Sequence, residues 1–270
     1  MQLNYFRLFR QTWWNRFKSE LEKMMRKMVF FYLIFFAVMV QAELPEDIVF
    51  LLTFDEIKGD EIIDLSGNGN HGVAVGKSKI EKGKFGDSFY FDGKTSITVK
   101  NAKPLGELTD PMSVGVWLKP DILGGWRNIV EMDGKAGWKF GFHDSRALVW
   151  TTYFVKDFIT TQPVEDKEWS HVAATWNGKE AKMYINGEEV KGSPIAGGGV
   201  IDVKKEPSLD IGYRRTSSDC YFEGFMDELF ISNKVLTVNE IKKYQEGFDA
   251  LLQVDPKSKL TTVWGSIKRQ

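Results

Sequence analysis

The chain has 270 residues, 43% hydrophobic and 14% aromatic, enough apolar side chain for a real core and too much for wholesale disorder. Lys plus Arg number 36 and Asp plus Glu 37, for a net charge of −1, so nothing in the charge argues for a nucleic-acid partner. One cysteine, Cys220, excludes an internal disulfide and reads as packing, and no Cys/His spacing suits zinc.

The chain opens on a basic leader. Val29 to Val40, VFFYLIFFAVMV, is an apolar run of 12 residues behind Arg26 and Lys27, and Val40-Gln41-Ala42 places small or apolar groups at the −3 and −1 positions of a cleavage site. This predicts a secretory signal peptide cut after Ala42, from a run too short for a comfortable membrane span. Met1 to Lys23 makes the leader unusually long, and Met24, Met25 and Met28 are alternative starts. The rival reading keeps the leader as a cytoplasmic stub on an uncleaved anchor, with Arg7, Arg10, Arg16, Lys18, Arg26 and Lys27 satisfying the positive-inside bias. No cysteine ends the apolar run, which argues against a lipid anchor.

Ile48 to Phe54, IVFLLTF, is a strand-length apolar run ending in Asp55-Glu56. Asp64 to Gly72, DLSGNGNHG, is a loop of turn formers that accept unusual φ. Strands are expected at Val73 to Val75, Ser88 to Phe91 and Ser96 to Val99, the last two joined by Asp92-Gly93. Ser113 to Lys119 alternates and stops at Pro120. Arg127 to Met132, Trp138 to His143 and Ala147 to Thr152 are the next three strands. The stretch Trp169 to Val190, WSHVAATWNGKEAKMYINGEEV, states its geometry most plainly: Asn177-Gly178 and Asn186-Gly187 divide it into an antiparallel meander. Its strands carry apolar groups on both parities, as strands covered on both faces do. A glycine loop, Gly197 to Gly199, precedes strands at Ser208 to Tyr213 and Phe222 to Ile231.

Thr237-Val238-Asn239-Glu240 is a capping box, and Ile241, Tyr244 and Phe248 share one face of the short helix it opens. From Gln253 the tail is polar and basic apart from Trp264 and Ile267. Many short strands with turn signals between them predict an all-β, two-sheet antiparallel sandwich or jelly roll with one short C-terminal helix. The expected division is a leader over 1–42, one domain over 43–250 and a tail over 251–270.

In this order, FDE at Phe54 to Glu56, DLSGNGNHG, FDG at Phe91 to Gly93, SVGVWLKP at Ser113 to Pro120, WSHVAATWNG, MYING at Met183 to Gly187 and FEGFMDELFI at Phe222 to Ile231 resemble the laminin-G-like jelly rolls of the concanavalin A-like lectin/glucanase superfamily, especially bacterial secreted members. The resemblance implies two antiparallel sheets, commonly one structural calcium, and use as a module that binds glycans or proteins. The fold hosts lectins, adhesion modules and glycosidases alike, so it does not choose among them.

Calcium requires about six to eight hard oxygens. Asp55, Asp64, Asn70 and Asp227 are the chosen ligands, with Asn68 beside them; the alternative is that Asp64 and the asparagines cap turns and that Asp227 accepts backbone N–H groups. For a glycan, Trp126, Trp138 and Tyr153 are the candidate contacts, against the habit of tryptophan to fill cores. No catalytic residue is assigned. Glu131-Met132-Asp133 lacks the second glutamate of a glucanase strand, no Gly-x-Ser-x-Gly elbow is present, and His71, His143 and His171 have no nucleophile nearby in sequence. The expectation is a secreted or cell-surface, non-catalytic module that binds a glycan or a cell-surface glycoprotein. An adhesive protein-contact module is the alternative, with polysaccharide hydrolysis third.

Overall fold

The two Asn-Gly pairs turn the chain where left-handed backbone is needed, with φ of 81° at Gly178, 51° at Asn186 and 75° at Gly187. Ser170–Trp176 therefore pairs with Glu180–Ile185, which pairs in turn with Glu188–Glu189. The other edge of Ser170–Trp176 runs along Met112–Pro120, from Ser170 opposite Leu118 to Trp176 opposite Met112. All seven residues of Ser170–Trp176 are buried, as two-sided apolarity predicts.

The computed structural model describes residues 14, 17–28, 44–77, 79–100, 102–133, 137–202, 207–214 and 220–252. They belong to two units, Leu44–Asp249 and the two flanking segments Met1–Glu43 and Ala250–Gln270. In the flanking unit residues 17–28 are helical. The apolar run Val29–Val40 and the tail from Gln253 lie outside the described residues.

Leu44–Asp249 is a two-sheet antiparallel sandwich. One sheet runs from Glu188–Glu189 through Glu180–Ile185, Ser170–Trp176, Met112–Pro120, Glu223–Ser232 and Asp87–Asp92 to Lys79–Lys82, with Ile48–Leu52 also on Glu223–Ser232 and Ile195–Ala196 on Glu180–Ile185. The other runs from Lys156–Pro163 through Ala147–Thr152, Trp138–Phe142, Arg127–Met132, Ser208–Ile211, Ser96–Lys100, Gly72–Val75 and Glu61–Ile62 to Ile57–Lys58. Among the described residues the core between them is one apolar cluster. Trp138, Trp150 and Trp176 stack in file within it, with ring centroids 5.0 and 6.3 Å apart.

The capping box forms as predicted: Glu240 N–H donates to Thr237 Oγ1 at 3.3 Å and Thr237 N–H to Glu240 Oε2 at 2.8 Å. The helix Val238–Gln245 buries Ile241 and Tyr244, and Phe248 is buried just beyond it. Sequence reading missed the long edge strand Lys156–Pro163, in which only Phe158 and Thr160 are buried and most of the rest is polar.

Candidate functional site

Strand pleating sends alternate residues to opposite faces, and on Trp138–Phe142 and Ala147–Thr152 that alternation separates a core face from a polar one. Trp138, Phe140, Phe142, Leu148 and Trp150 enter the core. Lys139 and Thr151 project from the other face, where a cavity of about 820 Å³ opens among Gly124–Arg127, Lys139, Asp144, Thr151–Asp157, Arg214 and Cys220. Gly125, at φ 73°, turns the chain into Trp126, whose half-exposed ring meets His143 edge-on at 4.9 Å. The Lys139 ammonium lies 4.2 Å from the Trp126 ring centroid, a cation–π contact. Burial holds the Lys139 amine below its usual range, with Arg214 pushing in the same direction.

Below this wall lies a buried carboxylate. Between Trp138–Phe142 and Arg127–Met132 the register slips at Phe140/Gly141, a bulge that lets Ile129 and Val130 both serve the core while Glu131 faces outward. Glu131 is fully buried. It accepts the Tyr153 hydroxyl in a short hydrogen bond and Asn128 Nδ2 at 3.4 Å, and Arg214 Nε lies 3.8 Å away. Desolvation raises its pKa against those partners, and raises that of Tyr153 as well. Tyr153 is in turn overlain by the Arg214 guanidinium, 5.8 Å from its ring. The arrangement fixes a phenol, a guanidinium and an ammonium beside an indole face. Together they are suited to stacking on and hydrogen bonding to a polar ligand.

A second cluster of charge lies on the opposite sheet. Where Glu223–Ser232 meets Met112–Pro120, pairing is interrupted between Asp227 and Phe230, and Glu228 takes a left-handed φ of 53°. The bulge re-aims two consecutive acids into the protein. Asp227 Oδ2 accepts Phe85 N–H at 2.9 Å, Glu228 Oε2 accepts Phe248 N–H at 2.9 Å, and Asp55 Oδ1 accepts Asp87 N–H at 2.7 Å. Asp227 Oδ1 and Glu228 Oε1 are buried with no hydrogen-bond partner. Burial pushes Asp227 up to about 7 and Glu228 up to about 8, with Asp55 adding repulsion to both, and burial raises Asp55 too. The turn Gly83–Gly86 backs onto this corner so closely that a side chain at Gly83 would collide with Asp227 and one at Gly86 with Asp55. The donor set is hard oxygen, and the orphaned oxygens fit a small hard cation. Among the described residues, no three acidic, histidine or cysteine side chains already converge as a cage.

The sequence-predicted residues divide accordingly. Asp55 and Asp227 come together, joined by Glu228, which the reading passed over. Asp64 does not join them: Oδ1 accepts Leu51 and Ser66 N–H at 3.1 and 3.0 Å, and Oδ2 accepts Asn70 N–H at 2.9 Å. Its carboxylate is spent ordering its own loop, and Asn70 is buried there with it. Trp126 and Tyr153 both line the cavity. Trp138 is corrected: it is fully buried and stacked on Trp150, because its position in the strand has core parity and the next residue, Lys139, has cavity parity. Lys139 and Arg214 were missed, although a lysine between Trp138 and Phe140 in an apolar strand was a signal. Of the residues set aside for catalysis, Glu131 is sealed under Tyr153, and Asp133 Oδ1 accepts Ser208 N–H at 2.9 Å. His171 is buried between Trp117 and Phe230, as a core residue.

A family description, that of the concanavalin A-like lectin/glucanases superfamily, matches residues 91–242. Among curated proteins, adhesion G-protein coupled receptor D1 of Homo sapiens is 34% identical over 77 residues, 28% of this chain. The chain spans only 9% of that receptor's length. Among solved structures, domain 4 of AbnA, a GH43 extracellular arabinanase from Geobacillus stearothermophilus in complex with arabinotriose, superposes with a TM-score of 0.59 at 20% identity, covering 73% of this chain and 97% of that one. The binding domain of Paraclostridial Mosquitocidal Protein 1 gives 0.58 at 21%, covering 73% of this chain and 51% of that one. At such identities these likenesses show the shared fold.

Proposed function

Since the chain belongs to the concanavalin A-like lectin/glucanases superfamily, we propose that it is a secreted, non-catalytic module that binds glycan, free or on a glycoprotein, in the cavity beside Trp126 and Tyr153. The observation that carries this reading is the cavity itself: about 820 Å³, with an indole, a phenol, two arginines and two lysines facing one space. Sugar rings offer apolar C–H faces for the aromatics and hydroxyls for the charged groups. A structure of AbnA domain 4 holds arabinotriose on the same fold, which adds support. The sealed Glu131 supports a non-catalytic role, since a general acid must reach its substrate.

A structural calcium belongs to the same proposal. Asp55 and Asp227 would hold it, with Glu228 beside them, and the ion would supply positive charge to carboxylates that burial now disfavours. Asp64 and Asn70 have no part in it, for the reason given above.

The test is a glycan array with the chain from Glu43 onward, run in calcium and again after chelation. Sugar binding that is lost in Trp126→Ala supports the reading. A folded protein that binds no glycan in either condition would sink it. A second reading, protein contact, is favoured by Phe154 and Val200, which are 90% and 84% exposed. It predicts that Phe154→Ser abolishes capture of a surface protein stripped of its glycans.

A further inference from the structure

The leader carries a pattern that the sandwich does not use. Trp14, Phe17, Leu21, Met24, Met25 and Met28 are all exposed, from 41% at Leu21 to 64% at Met28. At the angular step of an α-helix they fall within an arc of about 100°. Lys18, Lys23, Arg26 and Lys27, with Glu20 and Glu22, occupy the rest of the circumference, and no apolar residue of 17–28 falls outside the stripe. At one end the Trp14 and Phe17 rings stack at 6.0 Å, and the Lys18 ammonium lies 5.7 Å from the Trp14 ring centroid. The leader of a signal peptide requires positive charge; it does not require six large apolar side chains on one face.

We propose that the helix 17–28, with Trp14 one turn ahead, lies on an anionic lipid surface, its apolar stripe in the headgroup boundary and its basic residues toward lipid phosphates. Two observations select lipid over a protein groove. Charge is complementary, with four basic residues against two acidic ones over 17–28. The chain then passes directly from Met28 into the 12 apolar residues Val29–Val40, so the phase that receives that run also adjoins the stripe. Among the described residues no helix is long and apolar enough to cross a membrane. The inference is independent of the glycan reading.

The test uses the full chain with phosphatidylglycerol vesicles or phosphatidylcholine vesicles. Limited trypsin digestion is followed by mass spectrometry at Lys18, Lys23, Arg26 and Lys27. The expected result is cleavage at these sites slowed about tenfold on anionic vesicles relative to neutral ones, with the protection lost in 0.5 M salt (about a 4 Å screening length) and in Leu21→Asp/Met25→Asp. Cleavage equal on both vesicles, or protection that survives in the double variant, overturns the proposal. So does protection without lipid that tracks with a dimer in sedimentation, which would give the stripe to a second copy of the chain.

Discussion

Of the places where the sandwich buries carboxylates, two solve the problem in opposite ways. At the cavity floor, Glu131 is met by Tyr153, Asn128 and Arg214, so the chain supplies its own donors. At the corner of the other sheet, Asp227 and Glu228 each keep one buried oxygen without a partner, and Asp55 brings a third acid to them. A buried charge is costly unless it is paired and hydrogen-bonded. At the floor the chain therefore meets its carboxylate with its own donors, whereas at the corner it leaves two buried acid oxygens that the proposed cation would complete.

Removing Glu131 should break the self-sufficient side of this contrast. Glu131→Ala leaves Arg214, Tyr153 and Asn128 facing an empty site, and should cost about 3 kcal/mol in urea unfolding, equally with and without calcium. A loss that calcium repairs would contradict the assignment. At the corner, calcium at a hundredfold over its dissociation constant should stabilise the wild type by about 2.7 kcal/mol. Asp227→Asn should abolish that gain and leave the calcium-free protein no less stable, since it removes a desolvated charge. A variant that still responds fully to calcium would move the site elsewhere.

The floor also carries a pH signature. Glu131 has a pKa raised above its ordinary value of 4.5, so its protonated form is the one the fold favours. That contribution is complete below pH 4.5 and is lost as pH rises through the raised value. Unfolding free energies at a series of pH values should show Glu131→Gln gaining on the wild type over that interval and then running parallel to it. A constant gap would mean that the pKa is not raised. The smallest stability effect belongs to Trp126→Ala, within about 1 kcal/mol, paired with an affinity loss for glycan of about tenfold or more in calorimetry.

Much of the fold was legible because turns and strand lengths are local. Asn177-Gly178 and Asn186-Gly187 announce their hairpins, Asp92-Gly93 announces a turn whose two strands part into opposite sheets, and the capping box announces its helix. The candidate site was less so. Trp126 and Trp138 both follow glycines, and what separates them is face: Trp138 shares the core parity of Phe140 and Phe142, opposite Lys139, an alternation that was legible in WKFGF. Asp64, in a glycine-rich loop, and Asp227, in a strand, looked equivalent as hard oxygen donors. They differ in what the donors leave over, since both oxygens of Asp64 accept backbone N–H groups, from Leu51, Ser66 and Asn70, while Asp227 takes one from Phe85, far away in sequence, and keeps Oδ1 without a partner. Lys156–Pro163 escaped because a polar edge strand buries few side chains, and apolar pattern is the signal by which strands are found.

The outermost strands have a bearing on how the protein behaves in a crowded medium. One sheet ends in Glu188–Glu189, only two residues long, and in Lys79–Lys82, whose four side chains are all exposed. The other ends in a two-residue strand, Ile57–Lys58, and in Lys156–Pro163, which begins with a lysine and finishes on a proline. Short, charged or proline-capped borders offer a poor template for a second molecule's backbone. Molecules concentrated side by side should then stay discrete rather than zip into a continuous ribbon, and the faces and loops are left as the surfaces through which they meet anything else.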